Sequence, residues 1–185
     1  MKKYALNIAV ASALALPFGL ANASTGTIDF VGEVTDETCS LGADSIQITV
    51  PMGSYAAHHI SGIPNTEARQ FAINLTGCDA SLALNTAEFT FSGTLAAAGN
   101  ANLLALDLDG SNAATNLGIA ISGTNGDFTT NLISFDGSPN AFLDTPLVDG
   151  TNTIRLYAFY KRIDGAQPVT SGSANATATF TVSYS

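Results

Sequence analysis

The sequence predicts an all-β fold, one sandwich of about seven to nine strands, and three observations carry that prediction. Apolar residues recur with a period of two through most of the chain, the signature of half-buried strands. The intervening stretches are rich in Gly, Asn, Ser and Asp, for example 109–116 and 122–127. Only Tyr55 to Ile60 suggests a helical turn, and neither an internal repeat nor an interdomain linker interrupts the pattern.

Each element follows from its own alternation. In 27–34, Ile28, Phe30, Gly32 and Val34 share one face, with Thr27, Asp29, Val31 and Glu33 on the other. Ile46, Ile48 and Val50 alternate until Pro51 stops the run. Phe71, Ile73 and Leu75 alternate just ahead of Cys78. Short strands follow at Phe89–Phe91, at Leu104, Leu106 and Leu108, and at Leu117, Ile119 and Ile121. In 153–162, Ile154, Leu156, Ala158 and Tyr160 form one face. The clearest alternation is C-terminal: Ala174, Ala176, Ala178, Phe180, Val182 and Tyr184 on one face, and Ser173, Asn175, Thr177, Thr179, Thr181 and Ser183 on the other. That apolar face must lie on the core, which locks the terminus into a sheet.

The first residues read as an address. Lys2 and Lys3 precede an apolar run from Tyr4 to Leu16, then Pro17 and Gly19, then Ala21-Asn22-Ala23 as a cleavage signal. The run is shorter than the roughly 20 apolar residues a membrane anchor needs, so a secretory signal peptide of residues 1–23 is expected. Removing it leaves four basic and fifteen acidic residues, a net charge of −11. Export explains the cysteines: Cys39 and Cys78 are the only two, and an oxidising compartment joins such a pair rather than leaving two buried thiols. Their Cα atoms are then expected about 4.4–6.8 Å apart.

Composition excludes several functions. So acidic a chain does not bind nucleic acid, which requires clustered Lys and Arg. Two cysteines and two histidines cannot build a zinc ribbon or finger. His58 and His59 are adjacent and, on a strand, would point apart. Asp107 to Asn112 has the acidity of a calcium loop, but its glycine is misplaced and the bidentate Glu is missing. No G-x-S-x-G or G-x-G-x-x-G occurs. Asn175-Ala176-Thr177 fits a glycosylation sequon but lies inside a predicted strand. No enzyme, cofactor or metal is expected.

These features together resemble the type 1 fimbrial pilin family, the structural subunits of chaperone–usher fimbriae. The resemblance rests on the alternating arm Gly26 to Val34 followed shortly by Cys39, on Phe71-x-Ile73-x-Leu75-x-x-Cys78, and on Tyr184 as penultimate residue with Gly172 fourteenth from the end. It implies an incomplete immunoglobulin-like β-sandwich with an N-terminal donor-strand extension: residues 24–35 as the arm and 36–185 as the pilin domain. It implies donor-strand residues Ile28, Phe30, Gly32 and Val34. It also implies a groove strand, recognised by a periplasmic chaperone, formed by Gly172, Ala174, Ala176, Ala178, Phe180, Val182, Tyr184 and Ser185. The chaperone would grip the Ser185 carboxylate with basic residues. An outer-membrane usher and neighbouring pilin subunits are the other implied partners, and a cell-surface fimbrium reached through the periplasm is the implied location.

The residues themselves fit an arm that can be handed over. Burying Ile28, Phe30 and Val34 contributes roughly 1.5–3 kcal/mol each. Gly32, in phase with them, is either a turn glycine or one that faces a shallow groove pocket where strand exchange starts. A secreted carbohydrate-binding module, or a minor tip-associated adhesin component, is the alternative. It would be expected to offer an aromatic platform, but the chain has no Trp and its five Tyr are scattered.

Overall fold

Nine short strands carry the fold in the computed structural model, which describes residues 37–107 and 112–185 together with Gly32. The signal segment, the arm residues Ile28, Phe30 and Val34, and Leu108 lie outside the described residues. The chain divides into two units, Met1–Thr35 and Asp36–Ser185, and the fold below is that of the second.

The strands are β1 (Ser40–Leu41), β2 (Arg69–Cys78), β3 (Thr86–Ser92), β4 (Leu104–Ala105), β5 (Leu117–Ser122), β6 (Asp136–Pro139), β7 (Thr145–Pro146), β8 (Gly150–Arg162) and β9 (Thr179–Tyr184). A single turn and a half of helix, α1, spans Ala57–Ser61. One sheet has the order β1-β2-β8-β5-β4, with every pair antiparallel. In the other, β3 pairs with β9 on one edge and with β6 and β7 on the opposite edge.

Register explains why the alternating residues reach the core. Phe71 pairs with Leu156 and Ile73 with Ile154. The side chains that β2 and β8 turn inward therefore stack as cross-strand neighbours. From the opposite sheet Ala87, Phe89 and Phe91 face them. Ile73, Leu75, Phe89 and Leu156 are fully buried. β5 is buried on both faces. Its outward-facing Ala120 joins Leu103 and Phe159 in a second small cluster, with Phe128 edge-on to Phe159 at 4.8 Å.

Cys39 and Cys78 are disulfide-bonded, as expected, with Cα atoms 4.2 Å apart, slightly closer than the expected lower bound. α1 starts two residues after the predicted turn and ends one residue beyond it, and it carries both histidines. Among the described residues no group of three or more His, Cys, Asp or Glu is placed to hold a metal ion.

Three expectations change. Residues 46–50, whose alternation predicts a strand, join no ladder, and Ile46 and Gln47 form a bend. The C-terminal run is laddered against β3 only from Thr179 on; Ser173 makes an isolated bridge with Ala113, and Ala174 to Ala178 lie outside any strand. Among the described residues, the strand expected from Leu104 to Leu108 is laddered at Leu104–Ala105 and not at Leu106 or Asp107. The first two changes have one physical cause, described next.

Candidate functional site

A groove of about 800 Å³ runs between two segments that neither sheet closes. One rim is 46–52. It starts beside Ser45, whose Oγ accepts the Asn74 N–H at 2.8 Å, and it leads to Tyr55, whose ring meets Tyr160 edge-on at 6.1 Å. Both ends of the segment are thus held. Between them, among the described residues, no backbone N–H or C=O of 46–52 pairs with another backbone group. Pro51 adds no N–H to that edge. Ile48, Val50 and Met52 turn half-buried side chains toward the core, while Ile46 stays 71% exposed.

The other rim is 174–180. Its outer side is fastened. Asp107 N–H donates to the Asn175 carbonyl at 2.7 Å, the Thr177 hydroxyl donates to Asp107 Oδ2 at 3.1 Å, and Ser173 exchanges backbone bonds with Asn112 and Ala114. Further along, Thr86 and Ser185 exchange both backbone bonds, which sets the odd-numbered residues of β9 toward β3. The even-numbered residues consequently direct their N–H and C=O toward the groove. The Tyr160 hydroxyl takes one of them, donating to the Ala174 carbonyl at 2.8 Å.

The floor is apolar: Phe71, Phe91, Leu104, Ile119, Ile121 and Ala158. Two edges of unpaired backbone flanking an apolar floor are what one missing strand leaves behind. Such edges cost stability and invite pairing with another chain. A cavity of about 250 Å³ continues the groove at the Gly172 end, lined by Tyr55, Ile60, Tyr160 and Val169.

At the opposite end Tyr184 closes the wall, its hydroxyl donating to the Cys39 carbonyl at 3.2 Å. The disulfide thus positions the end of the groove strand. Burial, with Glu37 adding to it, raises the Tyr184 pKa. Burial and then Tyr55 raise that of Tyr160. Both phenols therefore remain neutral donors at physiological pH.

Of the residues singled out in the sequence, Ala174, Ala176, Ala178 and Phe180 line the groove, and Val182 and Tyr184 continue the same face on β9. Gly172 lies at the groove's end, against the backbone of 112–114. Ser185 pairs with Thr86. Gly32 is exposed, and a Cβ added there would meet nothing within 4 Å. Sequence reasoning missed the 46–52 rim and the two tyrosines at its far end. Tyr160 was visible as the last apolar position of the 154–160 alternation, but nothing local separates a core tyrosine from one that reaches a groove carbonyl.

A sandwich that lacks one strand beside its C-terminal strand is an incomplete immunoglobulin-like fold. A family model described as fimbrial protein matches residues 28–185. The type-1 fimbrial protein A chain of Escherichia coli strain K12 is 38% identical over an alignment covering 100% of both chains. The fimbrial subunit type 1 of Klebsiella pneumoniae is 36% identical, again over 100% of both. The fold matches that in a chaperone–usher pilus structure with a TM-score of 0.71 at 23% identity, covering 94% of this chain and 100% of that one. It matches the P pilus rod subunit PapA with a TM-score of 0.67 at 21% identity, covering 80% and 100%. The chain belongs to the fimbrial protein family and is a structural pilin subunit.

Proposed function

We propose that this subunit polymerises by donor-strand exchange, its groove receiving residues 28–34 of the next subunit. The observation that carries the reading is the pair of unpaired rims. The groove lining includes residues 46–53 and 174–180, stretches of eight and seven residues, close to the seven of the alternating arm 28–34. At about 3.3 Å per residue, a seven-residue strand is about 23 Å long. An inserted strand answers the groove-facing backbone of both rims, and Ile28, Phe30 and Val34 cover the apolar floor. Adding an extended segment to a sheet edge in this way is a known recognition mode, for which chaperone–pilin complementation is a stock example.

Before assembly a periplasmic chaperone fills the same groove with its own strand and holds the Ser185 carboxylate. An outer-membrane usher then receives the complex, and the product is a cell-surface fimbrium. The signal segment 1–23 directs export, 24–35 is the donated arm and 36–185 is the receiving domain. Gly32 meets the shallow part of the groove. The chain works by binding strands and carries out no catalysis; the groove's floor is aliphatic and aromatic, which suits that role.

Deleting residues 24–34 tests the reading. On this reading the arm lies outside the receiving domain's own sheet, so the variant should co-purify with its chaperone and fail to extend a fibre. Tyr184→Ala should instead weaken the chaperone complex, because Tyr184 closes the groove against Cys39. If the arm deletion unfolds the domain, residues 27–34 are a self-packed strand and the reading is wrong.

A further inference from the structure

Charge is distributed unevenly along the strand axis. Arg69 opens β2, and Lys161 and Arg162 close β8. Since Arg69 pairs with Ala158 across the antiparallel β2–β8 ladder, these three of the four Lys and Arg of the described residues lie at one end of the sandwich. Their contacts run to the Tyr55 hydroxyl and to the Phe128 and Gly165 carbonyls, not to carboxylates. Glu67, Asp107 and Asp164 share that end, which is therefore close to neutral overall.

The other end is different. There Cys78 faces Gly150, and Glu37, Asp79 and Asp149 gather without any Lys or Arg among the described residues. Its two loops are joined: Asp149 Oδ1 accepts the Ala80 N–H at 2.9 Å, and the Leu147 N–H donates to the Asn85 carbonyl at 2.8 Å. On them Leu82, Leu84 and Val148 are 45%, 53% and 61% exposed, three sizeable apolar side chains in one small acidic-rimmed area.

Glu37, the first described residue after the segment 24–35, lies at this acidic end. An arm threaded into a neighbour's groove therefore brings the acidic end against one end of that neighbour. If the arm's trailing residues emerge at the neighbour's acidic end, uncompensated carboxylates face each other, and like charges at close range repel. If they emerge at the Gly172 end, the acidic end meets Arg69 and Arg162. We propose that each subunit docks its acidic, apolar end (Glu37, Leu84, Val148, Asp149) onto the cation-bearing end (Arg69, Arg162) of a second copy, and that this contact speeds arm insertion. This inference rests on the donor-strand reading. Complementary charge acts mainly on encounter rate and falls away as salt shortens the screening length to a few ångströms.

The test uses mature, full-length subunit in complex with its chaperone. Polymerisation rate is measured at low and high salt for the wild type, Arg69→Glu, Glu37→Lys and the double variant. Uptake of a synthetic peptide of residues 24–35 by each complex is measured in parallel. The peptide lacks the acidic end of a whole subunit, so it reports the groove alone. Each single reversal should slow subunit-on-subunit assembly about threefold to tenfold at low salt. The double variant should return to within about twofold of wild type, because every junction again pairs opposite signs. Peptide uptake should stay within about twofold throughout. Equal polymerisation rates in all four proteins, or a double variant slower than either single, would overturn the end-to-end contact. A parallel fall in peptide uptake by Arg69→Glu would overturn it too, by placing Arg69's effect on the arm itself. Failure of the wild-type complex to take up the peptide at all would instead remove the groove reading, and this one with it.

Discussion

Gly172 is the position where one added methyl should do most damage. A Cβ there would lie 2.3 Å from the Asn112 carbonyl oxygen, 2.4 Å from the Ala114 nitrogen and 2.5 Å from the Ala113 carbonyl carbon. All three are backbone atoms, so no side chain can rotate away, and the 172–174 and 112–114 segments must separate. The separation breaks or stretches the bonds from Ser173 N–H to the Asn112 carbonyl and from Ala114 N–H to the Ser173 carbonyl, each 2.8 Å. Two backbone bonds at about 0.5–1.5 kcal/mol each, plus overpacking of about 1–3 kcal/mol, give a loss of about 2–6 kcal/mol for Gly172→Ala. A loss of about 3 kcal/mol lowers the melting temperature of a domain this size by about 6–12 °C. The same displacement moves the start of the groove rim at Ala174, so arm-peptide uptake should slow as well. The assay is urea unfolding of the subunit with its groove closed by a second copy of residues 25–35 fused at the C-terminus, which makes the transition cooperative. Gly165→Ala is the control. Its Cβ meets nothing within 4 Å. It should change stability by no more than about 1 kcal/mol, and in the favourable direction if its backbone is compatible. A Gly172→Ala loss below about 0.5 kcal/mol would show that the close approach to 112–114 does not constrain the rim.

Replacing Cys39 and Cys78 together by Ser should cost about 4 kcal/mol, because the bridge spans a sequence separation of 39 and removes that loop's closure entropy from the unfolded chain. Comparison of urea midpoints in the same strand-closed background checks it, and Tyr184 should lose its fixed contact with the Cys39 carbonyl in the variant. Hydrogen bonds from the Thr130 hydroxyl and then from the Thr129 and Thr130 N–H groups hold the Asp127 pKa at about 2; those from Ser138, then Ser134, do the same for Asp136. Both pKa values are depressed on folding, so their stabilisation is present above the unfolded value of about 3.9 and is lost as pH falls from there toward 2. The melting temperature should fall across that window, and Asp127→Asn should flatten part of the slope while lowering stability at pH 7. An NMR titration midpoint for Asp127 near 4 would sink this account.

Alternation legibly placed the strands with a buried face. β2, β3, β5 and β8 appear where Phe71–Leu75, Phe89–Phe91, Leu117–Ile121 and Ile154–Tyr160 predict them, because a period of two is how a pleated strand sorts its side chains between core and solvent. Strands without a buried face gave no such signal. β6, Asp136–Pro139, is exposed along its whole length, and β1 and β7 have two residues each. Their pairing is decided by the backbone of β2 and β3 beside them.

The groove marks the sharper division. Ile46, Ile48 and Val50, and Ala174 to Phe180, carry the side-chain pattern of strands, and Ile48, Val50, Ala174, Ala176 and Phe180 pack against the core, so the sequence alone determines which face of each segment is apolar. Whether the edges of those segments find partners is not written in either one. Backbone hydrogen bonds lie in the plane of the sheet, at right angles to the side chains whose pattern the sequence displays. Only the tertiary structure brings 46–52 and 174–180 together as the rims of one groove over a floor that includes Phe71, Phe91 and Ile121, with no backbone bond between the two rims.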